Sequence, residues 1–144
     1  MDQVGNTILD RFSAVLLDMN STFMFDEDRF GPEHDYAATY QSFGGALSTE
    51  RADALIVACY ERLDTLYLDP ARHDSFPTVK ETLRSLPGAG ELSEAELERL
   101  EQTFAAHELG RVPEEYAAAL KRLAATHRLA LVADVWAQKE PWLK

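Results

Sequence analysis

Ala14-Val15-Leu16-Leu17-Asp18-Met19-Asn20-Ser21-Thr22 is the stretch that decides the fold of this chain. A short run of Val and Leu that breaks into small polar residues reads as a buried parallel strand, 13–18, ending in a loop. A carboxylate at the carboxyl end of such a strand stands where open α/β sheets place their ligands. Asp18 is therefore the first candidate functional residue. The competing reading is a turn-forming aspartate that ends a strand and does nothing more. A second apolar run, Leu129-Ala130-Leu131-Val132-Ala133, also ends in an aspartate, Asp134.

The sequence between these runs reads as helical. A short helix over 2–11 leads into the first strand, and 23–31 is polar loop. Pro32 can open a helix that Gly44-Gly45 closes. Ala52, Leu55, Ile56, Cys59, Leu63 and Leu66 recur at three- and four-residue spacing, one face of a helix capped by Ser48 or Thr49 and limited by Pro70. A third helix covers about 77–86. A fourth covers about 94–109, with Ser93 and Glu96 as a capping box. A fifth starts at Pro113 and turns Tyr116, Leu120 and Leu123 inward. Parallel strands need a crossover of about a dozen residues. Here residues 19–128 intervene, enough for a helical insertion after the first strand.

Composition bounds the rest. The chain has 144 residues, 46% hydrophobic and 27% charged, which suits a globular domain with a real core. A net charge of -11 disfavours nucleic acid and anionic membrane as partners. The N-terminus lacks a signal-peptide pattern, no apolar run approaches the roughly 20 residues of a membrane span, and the one cysteine, Cys59, fits a reducing cytoplasm. His34, His73, His107 and His127 show no metal-ligand spacing and read as solvated or capping residues. Cys59 lies on the apolar stripe and reads as core.

In the order of its parts the chain resembles the haloacid dehalogenase superfamily. Members open with a strand carrying Asp-x-Asp-x-Thr or a variant, here Asp18-Met19-Asn20-Ser21-Thr22. Many insert a helical cap just after it and end a second strand in Ser or Thr, here at Ala133-Asp134. The segment Val135-Trp136-Ala137-Gln138-Lys139-Glu140-Pro141-Trp142 also looks like family sequence. The resemblance implies a partial Rossmann-like core of two parallel strands, residues 1–22 and 111–144, with a helical cap over 23–110. It implies that Asp18 is the nucleophile, that Thr22 holds the loop, and that Ala133 and Asp134 face a small-molecule substrate. The usual general acid/base is replaced by Asn20, an amide, and the usual hydroxyl donor by Ala133, a methyl.

The family's third and fourth motifs, a cation and the acidic magnesium ligands, have no counterpart before Lys144. Lys139 and Lys144 stand too close to the second motif to match. The resemblance thus implies magnesium on Asp18 with a weak site or none. Three functional readings follow. One is a phosphatase-type hydrolase acting through an aspartyl intermediate, inactive as an isolated chain. A second is a haloacid dehalogenase proper, whose halide leaves without a proton. The third is a non-catalytic module that self-associates, as a dimer, through its cap or through the open edge of strand 13–18. Trp136 and Trp142 are expected to pack against the sheet.

Overall fold

The structure, a computed structural model, describes residues 8–134 together with Trp136 and Ala137. Lys139, Trp142, Lys144 and most of the expected 2–11 helix lie outside the described residues. In chain order the elements are β1 (Ala14–Leu17), α1 (Tyr36–Ser42), α2 (Thr49–Tyr67), α3 (Val79–Ser85), α4 (Glu94–Glu108), α5 (Glu114–Ala124) and β2 (Arg128–Leu131), with 3-10 turns at Ile8–Arg11 and Pro70–Ser75. Among the described residues, five helices and a two-stranded parallel sheet make a mixed α/β fold. The chain divides into two units. One joins the residues up to Glu27 with Gly110–Asp134; the other holds Asp28–Leu109 and takes in Trp136 and Ala137.

In the first unit β1 and β2 pair in parallel, from Ala14 opposite Arg128 to Leu17 opposite Leu131. The ladder runs on at both ends, with the Arg128 amide donating to Ser13 O at 3.1 Å and the Val132 amide to Leu17 O at 2.9 Å. A second link joins the loop after β1 to the segment before α5. Phe25 and Arg111 exchange amide–carbonyl bonds of 2.9 and 2.7 Å. Gly110 is needed beside this link, because a Cβ there would collide with the Phe25 carbonyl.

Burial of the strands departs from expectation. Leu16 is 69% exposed and Val132 63%, while Val15 and Leu17 are only half-buried. The apolar run records what a parallel strand is able to bury on two faces. Among the described residues of its unit, α5 is the helix that packs on the sheet, and α5 itself has no buried residue. Tyr116 correspondingly does not turn fully inward; its ring meets Phe25 edge-on at 5.1 Å.

The second unit has a conventional core. Tyr40, Ile56, Leu63, Leu83, Leu100 and Phe104 are fully buried on α1 to α4. The expected stripe on α2 is the buried face through Leu63, with Leu66 half-buried. Helix α1 starts later than Pro32, because Asp35 caps it by accepting from the Ala38 amide at 2.7 Å. The capping box forms at Thr78 and Glu81; at the start of α4, Ser93 caps alone and Glu96 turns to Arg99 at 2.7 Å.

Trp136, expected on the sheet, packs within the helical unit. Its ring stands 5.8 Å from Tyr60 and 5.9 Å from Phe76 in the helical unit. The cause is Glu108, a buried carboxylate that must find donors. It accepts from the amides of Trp136 and Ala137 at 2.9 and 3.1 Å and so ties this segment to α4.

The contrast between the units sets an expected outcome. Phe104→Ala should cost about 3–5 kcal/mol by opening a cavity among packed rings. Leu16→Ala should stay within about 0.5 kcal/mol, since little is lost at an exposed position. Urea denaturation followed by Trp fluorescence and circular dichroism checks both; a costly Leu16→Ala would mean that β1 is covered.

Candidate functional site

Asp18 follows directly on β1, beyond the last residue paired with β2, and its side chain is exposed. The chain then reverses tightly. The amides of Thr22, Phe23 and Met24 converge on the Met19 carbonyl at 3.3, 3.2 and 3.1 Å, and the Ser21 amide donates to Met24 O at 2.8 Å. Met19, Phe23 and Met24 are buried and anchor this loop from beneath.

Folding the loop back has two consequences. Ser21 is forced to φ 57, left-handed backbone that a serine adopts at a cost. Thr22 is returned to the strand end, where its hydroxyl donates to Asp18 Oδ2 at 3.3 Å, a long bond that orients the carboxylate. Downstream, Ser21 Oγ donates to Glu27 Oε1 at 3.0 Å and Arg111 Nε to Asp26 Oδ2 at 2.6 Å.

The remaining sequence-derived candidates fall as follows. Asn20 lies in the loop two residues past Asp18, half-buried, with a side-chain oxygen that is enclosed and meets no donor among the described residues. An amide in that position neither donates an acidic proton nor accepts one. Ala133 is half-buried and Asp134 exposed, both past the last residue of β2. The parallel pairing therefore puts Asp18 and the pair Ala133-Asp134 beyond the same, carboxyl ends of the two strands.

Magnesium is assigned to this site by the resemblance alone, on Asp18. A hard divalent cation takes about six oxygens. Asp18 is the carboxylate assigned to it here, and among the described residues no three His, Cys, Asp or Glu side chains group closely enough to share a cation.

The histidines separate into two kinds. His127 bonds to the Thr126 hydroxyl at 2.8 Å near the end of α5. His107 is neither solvated nor a cap. It is buried on α4, with Nε2 3.0 Å from Thr39 Oγ1, its ring 4.8 Å from Tyr36 and 6.0 Å from His34. Sequence spacing gave no sign of the His34–His107 approach, since the residues lie on different elements. Cys59 is core as expected; burial, with Glu101 adding to it, pushes its thiol up to about 12 and removes it as a nucleophile.

No family model, curated protein or solved structure matches this chain.

His107 makes stability pH-dependent. Burial lowers its pKa from the ordinary 6.5, with nearby Arg29 and His34 adding to this and the Arg29 backbone and Asp35 opposing it. The folded chain thus resists a proton that the unfolded chain accepts. The contribution is present above the ordinary histidine value and is lost as pH falls below it. Urea midpoints should drop between about pH 7.5 and about pH 5.5, and His107→Gln should flatten that slope. An unchanged slope in His107→Gln would contradict the burial account.

Proposed function

We propose that this chain carries the nucleophile end of a haloacid dehalogenase-like hydrolase, a partial Rossmann-like core with a helical cap, acting on a small phosphorylated molecule. The observation that supports this reading is the placement of Asp18. It stands at the carboxyl end of a strand in a parallel pair, oriented by Thr22 from a loop with strained backbone. One Asp18 oxygen attacks phosphorus, the bond from phosphorus to the leaving oxygen breaks, and an aspartyl-phosphate forms. Water then attacks that phosphorus and returns the carboxylate.

Both halves of the reaction need a proton moved, and Asn20 cannot move it. Loss of a general acid/base costs about 10²–10⁴ in rate. Leaving groups that depart without a proton escape half of this penalty. The same observation supports a second reading, a dehalogenase in which Asp18 displaces halide from carbon. A cytoplasmic location belongs to these readings. It rests on the lone Cys59 and on the lack, among the described residues, of a helix long and apolar enough to cross a membrane.

A third reading, supported by the sheet, is a non-catalytic module that self-associates. A two-stranded sheet is marginal by itself, and among the described residues no further strand pairs with its outer edges, beside exposed Leu16, Leu131 and Val132. A second copy pairing along β1 would extend the sheet in a closed two-fold arrangement.

Two outcomes are expected. The 144-residue chain should show little or no turnover of an aryl phosphate, any turnover should vanish in Asp18→Asn, and Asn20→Asp should raise it by about 10²-fold or more. Activity that survives Asp18→Asn would contradict the assignment. In sedimentation, the weight-average mass should rise with protein concentration and rise further with added salt, which screens a net charge of -11. A monomer at every concentration and salt level would remove the self-association reading.

A further inference from the structure

The helical unit holds seven basic side chains between Asp28 and Leu109, in a chain with 25 acidic and 14 basic residues. Five of the seven are firmly engaged. Arg29 donates to Ala106 O at 2.6 Å and Arg51 to Gly88 O at 2.7 Å. Arg84 holds Glu94 at 2.6 Å, Lys80 reaches Glu98 at 3.3 Å, and Arg99 pairs with Glu96 at 2.7 Å. The exceptions are Arg62 and Arg72. Arg62 meets no hydrogen-bond or ion-pair partner among the described residues, and the ion pair of Arg72 with Asp69 is stretched to 3.9 Å. With acidic residues in such excess, two weakly engaged guanidinium groups are the exception in this unit.

These two arginines line the same cavity. It has a volume of about 260 Å³ and is bounded by the second half of α2, the turn Pro70–Ser75 and α3. Leu66 and Pro77 supply apolar wall, and Ser75 supplies a hydroxyl. The one carboxylate in the lining, Glu81, is committed elsewhere. It accepts from the Thr78 amide and hydroxyl, both at 2.9 Å, and those bonds hold its carboxyl below the ordinary glutamate value. The hydroxyls of Thr82 and Ser85 donate to backbone carbonyls at 3.0 and 2.7 Å. Beside the ionised Glu81 carboxylate the lining offers a pair of guanidinium forks, which match the oxygens of phosphate or carboxylate.

We infer that this cavity is a binding site for a small organic anion, gripped through a phosphate or carboxylate group by Arg62 and Arg72. Its volume lies just below the range of ordinary ligand pockets and suits a compact metabolite rather than a nucleotide. The inference rests on the helical unit alone and stands whether or not Asp18 acts as a nucleophile.

The test is a titration of the full chain with inorganic phosphate at low ionic strength, followed by ¹H–¹⁵N NMR. Saturable shifts are expected at the amides around Ser75 and at the Nε–H groups of Arg62 and Arg72. The double variant R62M/R72M should weaken binding about tenfold or more. R51M, which removes an arginine engaged outside the cavity, should bind as the parent does. The amide spectrum shows in each case that the variant is folded. Shifts that never saturate, that centre elsewhere, or that persist undiminished in R62M/R72M would overturn the site.

Discussion

The parallel pairing of β1 with β2 is the constraint on which the functional reading depends. Residues 18–127 separate the two strands, yet Ala14 to Leu17 run in register with Arg128 to Leu131. Pairing in this sense puts Asp18 and the Ala133-Asp134 pair beyond the same ends of the strands. An antiparallel pair would have put them at opposite ends. The tight return of Met19 to Met24 matters only because this arrangement exists. It brings the Thr22 hydroxyl to a carboxylate already placed at the strand end.

The two units differ in how they meet the cost of folding. The helical unit encloses aromatic and aliphatic side chains around Tyr40 and Phe104, and its one deeply buried carboxylate, Glu108, is satisfied by two backbone amides. Among its described residues the sheet unit has two short strands and one α-helix with no buried residue. Its order rests on the backbone ladder, the Phe25–Arg111 link and the buried loop residues Met19, Phe23 and Met24. Apolar side chains left at the surface of such a unit are the ground for the self-association proposed above.

Much of the fold was legible because local signals acted alone. The Ala52–Leu63 stripe, the Ser48 and Ser93 caps and the strand ending at Asp18 all follow from spacing within a few residues. Elsewhere two local signals competed and tertiary context chose. Asp35 displaced Pro32 as the start of α1, and of two matching Ser/Thr-x-x-Glu patterns only Thr78–Glu81 closed into a reciprocal box. Burial of the strands was not legible, since an apolar run says nothing about what is available to cover it. Within the candidate site, Asp18 was placed by the apolar run that it ends and Thr22 by the resemblance, whereas left-handed Ser21 was not legible, because serine carries no signal for that conformation. The approach of His34 to His107, and the shared cavity of Arg62 and Arg72, bring together residues that sequence distance separates.

The central claim is that Asp18 is a nucleophile whose partner for proton transfer is missing. Its most direct test is mass spectrometry of the chain after incubation with an aryl phosphate whose phenol departs without protonation. Without a base to activate water, the aspartyl-phosphate should be hydrolysed slowly and accumulate. The account predicts one phosphoryl group on the peptide carrying Asp18, released by hydroxylamine and absent from Asp18→Asn. An unmodified peptide, or the same phosphoryl group in Asp18→Asn, would contradict it.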